Sequence, residues 1–150
     1  LDAIEPVDSA ADLACGNGLL GIVALRQNKT RTLLFADESA MAIASSRANV
    51  SRLIDDPVRA TFHQGDGLLG VKQKFQMILC NPPFHLGHSV DDYAGRRLLQ
   101  QAADRLLPGG SLLVVANRHL EYGSALKRHV GHCEKLAQNN KFILWCARRG

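Results

Sequence analysis

The chain has 150 residues, 46% of them hydrophobic, and a formal net charge of +4. That length suits one compact domain over residues 1–150, and the apolar fraction excludes a disordered segment. No apolar run is long enough to span a membrane and no secretory leader is visible, so a cytoplasmic protein with no membrane partner is expected. The mild basicity suits a nucleic-acid partner without requiring one. The chain begins at Leu1 rather than Met, and is expected to be a fragment of something longer.

In chain order, residues 1–8 form a lead-in broken by Pro6. Residues 10–14 read as a short apolar strand that contains Asp12. Cys15-Gly16-Asn17-Gly18-Leu19-Leu20-Gly21 follows and opens into a helix over 22–26. Residues 32–36 form a second strand, ending at Asp37-Glu38-Ser39. A helix over 40–53 has apolar positions at helical spacing. A third strand over 58–63 leads into Gly65-Asp66-Gly67. Residues 75–80 are a buried strand of Phe, Met, Ile, Leu and Cys with one Gln, cut short by Asn81-Pro82-Pro83-Phe84-His85. An amphipathic helix over 93–107 is stopped by Pro108-Gly109-Gly110. Residues 111–116 are a fifth, central strand, and 122–129 a short helix. Two last strands, 134–137 and 142–147, flank the turn signal Asn139-Asn140.

Strands alternating with helices imply a doubly wound α/β fold, because parallel strands need crossovers. Seven strands are expected, mostly parallel, with an antiparallel C-terminal hairpin. There are four cysteines and no Cys-x-x-Cys pair. Free thiols in a reducing compartment are therefore expected, and no zinc site. His85 and His88 are three apart, but only Asp91 and Asp92 stand near them as further ligands, so no metal is expected.

Gly16-x-Gly18-x-x-Gly21 between a strand and a helix is a nucleotide-binding turn, since glycine lets backbone N–H groups approach a ligand. Alone it also matches the dinucleotide fingerprint, with Asp37 at the distance of a ribose-binding acid. Asp12 inside the strand end argues against that, because dinucleotide folds keep an apolar residue there. The pattern Asp12-x-Ala14-Cys15-Gly16-x-Gly18 instead resembles the S-adenosylmethionine turn of class I methyltransferases. That resemblance implies that Asp37, with Glu38, holds the ribose hydroxyls, and that Asp66, with Gly67, reaches the adenine amine. Each acid also has a plainer reading. Asp37 fits an N-cap of the next helix, although Ser39 is the better placed capper, and Asp66 fits a turn aspartate between glycines.

The Asn-Pro-Pro-Phe segment has chemistry of its own. Two prolines cannot continue a sheet ladder, so Asn81 stands at the carboxyl end of a strand, where open α/β sheets bind ligands. An exocyclic base amine is a poor nucleophile because its lone pair is delocalised into the ring. The Asn81 carboxamide oxygen and the Pro82 carbonyl supply two acceptors for its N–H groups. The prolines hold that pair in place. Phe84 supplies a face on which a turned-out base can stack.

Asn-Pro-Pro-Phe marks methyltransferases that act on planar nitrogens. Together with Val115-Ala116-Asn117-Arg118-His119-Leu120-Glu121-Tyr122, Asn139-Asn140-Lys141-Phe142 and Phe35-Ala36-Asp37-Glu38-Ser39, it resembles the catalytic domain of ribosomal RNA guanine-N2 methyltransferases. The large-subunit methyltransferase G group is closest and the small-subunit methyltransferase C group next. The resemblance covers nearly the whole chain. It implies a Rossmann-like class I fold, S-adenosylmethionine as cofactor, and ribosomal RNA as partner. Asn81, Pro82 and Phe84 would form the catalytic set, with Asn81 also touching cofactor. Pro83, Phe84, His85 and Arg118 would meet substrate. Such enzymes carry an extra N-terminal domain, which agrees with the expectation of a fragment. Adenine-N6 and release-factor glutamine methyltransferases share the central motif. A non-catalytic cofactor- or RNA-binding module is the alternative of another class, and the intact Asn-Pro-Pro-Phe argues against it.

Overall fold

The computed structural model describes residues 1–82, 89–120 and 122–150. Seven strands form one sheet: β1 (Val7–Leu13), β2 (Thr30–Asp37), β3 (Ala60–Gln64), β4 (Phe75–Cys80), β5 (Leu106–Asn117), β6 (Gly131–Gln138) and β7 (Phe142–Arg149). Four helices join them: α1 (Leu19–Arg26), α2 (Ala40–Leu53), α3 (Ser89–Asp104) and α4 (Tyr122–His129). The strand order is β3-β2-β1-β4-β5-β7-β6. The first five strands are parallel to one another, while β7 is antiparallel to both β5 and β6. The doubly wound sheet and the C-terminal hairpin are thus as the sequence predicts.

The alternation of strand side chains builds two cores, one per face. Ala11 and Leu13 of β1, with Ile78 and Cys80 of β4, pack against Leu99 and Ala102 of α3 and Tyr122 and Leu126 of α4. Ala10, Met77 and Leu79 point the other way, onto Ile22 and Leu25 of α1 and Ile43 and Val50 of α2. Burying each large aliphatic side chain stabilises by about 1.5–3 kcal/mol. This two-sided burial explains why β4 is apolar without a break over residues 77–80.

Several boundaries differ from expectation. A 3-10 turn at Pro57–Arg59 takes the place expected to start the third strand, since Pro57 has no N–H for a ladder and the Asp56 side chain accepts from Val58 N–H. The third helix ends at Asp104, before the Pro-Gly-Gly signal. The Arg105 N–H turns back to the Ala102 carbonyl, and β5 starts at Leu106. Pro108-Gly109-Gly110 therefore lies inside β5, opposite a register shift between Phe75 and Met77. Proline and glycine punctuate a strand bulge as readily as a helix end. The second helix starts as expected: the Ser39 hydroxyl accepts from Ala42 N–H at 3.2 Å, so Ser39 is the N-cap.

Candidate active site

The carboxyl ends of β1, β2, β3 and β4 bring their chemistry to one cleft of about 270 Å³. Its lining is Ala14 after β1, Asp37 and Glu38 after β2, Asp66 and Gly67 after β3, Asn81 after β4, and Arg97 and Leu98 from α3. Six of these eight are cofactor residues expected from the sequence. Three carboxylates face one guanidinium there.

The turn beneath the cleft is held by a tight set of backbone bonds. Cys15 N–H donates to the Ala36 carbonyl at 3.0 Å, Gly18 N–H to the Cys15 carbonyl at 2.8 Å, and Ile22 N–H to the Gly18 carbonyl at 2.9 Å. The Asn49 side chain of α2 donates to the Asn17 carbonyl at 2.9 Å, fastening the turn from the side. Asp37 fastens it from the next strand: one carboxylate oxygen accepts from Gly16 N–H at 2.9 Å and the other from Ser39 N–H at 2.9 Å. A carboxylate has about four acceptor positions, so capacity remains for a ligand hydroxyl. Glu38, beside it, is exposed along the cleft.

Asp12, Cys15 and Gly18, all expected to touch cofactor, do not reach the cleft. Asp12 is 1% exposed and points under the turn, where its carboxyl accepts from Gly21 N–H at 2.9 Å. Burial, with Asp37 nearby, pushes this carboxyl up to about 8 despite that bond. Its part is to hold the turn against the start of α1. The Cys15 side chain packs down into the core with Ile22 and Phe35, and burial pushes its thiol up to about 12. Cys80 is raised by burial as well, and neither is a nucleophile at neutral pH. Gly18 has φ 85° and is buried; a Cβ there would stand 3.0 Å from Ser46 Cβ and 3.2 Å from Phe35. It is required for backbone twist and close helix packing. Gly16 is outside the lining too, but it is the open glycine of the turn, because a Cβ there would meet nothing within 4 Å.

Asp66 forms an ion pair with Arg97 of α3. Four residues on, the Gln101 amide oxygen accepts from Leu68 N–H at 3.1 Å, so α3 grips the loop after β3 at two points. Arg97 and Leu98 in the lining, and Gln101 behind it, are neighbours of the cleft that sequence reasoning misses. The helical pattern of that segment marks an amphipathic helix, but which face meets a neighbouring loop depends on how the helix docks.

Asn81 is exposed at the cleft and Pro82 is buried beside it. Pro83, Phe84 and His85, and with them His88, lie outside the described residues. Arg118 is exposed beyond the end of β5 and does not line the cleft. Its N–H donates to the Lys141 carbonyl at 2.8 Å. The Asn139 side chain accepts from Lys141 N–H and Phe142 N–H, both at 2.8 Å, which rigidifies that turn. Arg118 and Lys141 are thereby carried on two joined loops along the same sheet edge as Asn81.

The family model described as the methyltransferase small domain matches residues 2–145. The chain belongs to this family. Among curated relatives, a ribosomal RNA large subunit methyltransferase G of Alcanivorax borkumensis is 46% identical over 144 residues, which is 96% of this chain and 37% of that protein. The namesake of Klebsiella pneumoniae is 48% identical over 136 residues, 89% of this chain and 36% of its own length. The chain thus spans little more than a third of these relatives. Among solved structures, a T. Thermophilus 16S rRNA N2 methyltransferase in complex with AdoMet and guanosine superposes with a TM-score of 0.83 at 22% identity, over 98% of this chain and 38% of that one. A ribosomal protein L11 methylase of Lactobacillus delbrueckii does so with a TM-score of 0.77 at 18% identity, over 99% of this chain and 73% of that one. At such identities these two structures establish the class I methyltransferase fold, the architecture expected from the sequence.

Proposed function

We propose that this domain transfers a methyl group from S-adenosylmethionine to the exocyclic N2 amine of a guanine in ribosomal RNA, in the large subunit. The observation that carries this reading is the opening of Asn81, next to the buried Pro82, onto the cleft that holds Asp37, Glu38 and Asp66. The cleft is acidic, with three carboxylates against one guanidinium. Such a lining suits a ligand with two ribose hydroxyls, an amine and a cationic centre, and repels the pyrophosphate of a dinucleotide. Asp37 and Glu38 would hold the hydroxyls and Asp66 the adenine amine. The cofactor supplies, when bound, a methyl group already activated by a sulfonium.

The chain's own residues then orient and exclude. The Asn81 carboxamide oxygen and the Pro82 carbonyl accept the two N–H bonds of the target amine, which favours a nitrogen whose lone pair is free to attack. Pro82 restricts the backbone, so little entropy is lost in reaching that geometry. Phe84, Pro83 and His85 are the side chains proposed to meet the base, with the Phe84 ring as the stacking face. No strong base is required before attack, because the amine's proton leaves after the new bond forms. Arg118 and Lys141 meet backbone phosphates of the RNA. The choice of the large subunit is supported by the names of the curated relatives, and the choice of guanine N2 by the resemblance of the residues around Asn81, Arg118 and Asn140 to guanine-N2 methyltransferases.

Kinetics of Asn81→Ala test the central role. The turnover number is expected to fall about a hundredfold or more, as for loss of one group that acts mainly in the transition state, with cofactor affinity changed far less. Turnover near that of the unaltered protein would remove Asn81 from the mechanism.

A further inference from the structure

We propose that Arg97 is the positioning residue of the adenine end of the cleft: it fixes Asp66 so that one carboxylate oxygen is presented to the exocyclic amine of the cofactor. This rests on the reading of the cleft as an S-adenosylmethionine site. The ion pair engages Oδ2 of Asp66, which leaves Oδ1 as the acceptor for a ligand N–H. The carboxylate is 45% exposed and sits in a loop between Gly65 and Gly67, so without a partner it would sample many orientations. Arg97 is itself half exposed, but it is mounted on α3, whose inner face carries the buried Leu99, Ala102 and Ala103. A guanidinium on a packed helix is a fixed point from which to orient a mobile acid.

A second contact joins the same two elements. The Gln101 side chain accepts from Leu68 N–H and fills the space over Gly67, where an added Cβ would collide with its amide oxygen. The loop after β3 is thus clamped to α3 on both sides of Gly67. Helix α3 is also the element that follows the segment begun by Asn81 and Pro82.

The test is binding rather than turnover. Titration with S-adenosylhomocysteine and with S-inosylhomocysteine, which has a carbonyl oxygen in place of the amine, measures how strongly the site reads that group. The unaltered chain is expected to prefer the amine-bearing ligand by about tenfold or more, because the carbonyl leaves Asp66 facing a second acceptor. Arg97→Ala is expected to cut that preference several-fold while changing affinity for the inosyl ligand little, and Arg97→Lys to keep part of it. Asp66→Asn should abolish the preference and make Arg97→Ala without further effect. Equal loss of affinity for both ligands in Arg97→Ala, with the preference intact, would overturn the proposal and leave Arg97 a merely structural residue. An unaltered chain that binds both ligands equally would overturn it as well. A chain that binds neither overturns the cofactor reading itself, a distinguishable result.

Discussion

Replacing Asp12 by Asn is expected to flatten the pH dependence of stability. Burial holds the Asp12 carboxyl at about 8 in the folded chain, against 3.8 when unfolded. The folded value is the higher one, so between these two points the unfolded chain gives up a proton that the folded chain retains. Stability from this group is then full below about pH 4 and is lost as pH rises, at about 1.4 kcal/mol per pH unit. The loss reaches about 4 kcal/mol by pH 7 and about 6 kcal/mol by pH 8, where it levels off. An Asn side chain cannot ionise, and its amide oxygen still accepts the Gly21 N–H. Its extra N–H groups need partners in a buried site, at a cost of about 1–3 kcal/mol that does not vary with pH. Urea unfolding of both proteins at half-unit steps from pH 4 to pH 8 measures the difference directly. The Asp12→Asn variant should gain on the unaltered protein steadily across that range, and all other titrating groups cancel in the comparison. Parallel stability curves would refute the reasoning, and would mean that Asp12 is ionised in the folded state.

Further outcomes follow from the same geometry. Gly21→Ala places a Cβ 2.5 Å from Phe35 Cε1 and 2.9 Å from Leu33 Cδ2, both in a packed core. A loss of about 1–3 kcal/mol in urea unfolding is expected, and an unchanged midpoint would show that α1 shifts freely on the sheet. Removing both cations of the β5 edge, Arg118→Ala with Lys141→Ala, should weaken RNA binding and reduce the slope of log affinity against log salt by about 1.4, two phosphate contacts on a single strand. An unchanged salt slope would place the RNA elsewhere.

The parts of the fold and site that are legible in the sequence are those carried by local chemistry. The strand over 75–80 is apolar on both faces and ends in residues that cannot continue a ladder, so the residue order alone places Asn81 at a strand end. Asp37 and Glu38 follow the apolar end of the second strand, and Asp66 and Gly67 stand in a glycine turn after the third, so local residue order marks each as a strand-end position. What the residue order does not show is tertiary direction. Asp12 is an acid at a strand end like the others, but its side chain goes under the turn to Gly21 rather than over it. Gly18 belongs to a ligand-binding pattern, yet Ser46 and Phe35 are what forbid a side chain there. Arg97 is one of two adjacent arginines on an amphipathic helix, and only the docking of α3 on the loop after β3 singles it out. The Pro-Gly-Gly stretch, read as a helix stop, lies inside β5 beside a register shift, because a bulged strand and a helix end share the same punctuation.

The reading of this chain as a guanine-N2 methyltransferase of ribosomal RNA is tested most directly by mass analysis of nucleosides. Ribosomal RNA lacking the modification is incubated with the protein and a methyl-labelled cofactor, then digested. The account predicts label in N2-methylguanosine, mapped to one position of large-subunit RNA and lost with Asn81→Ala. Label in N6-methyladenosine, or in protein glutamine with none in RNA, would contradict it.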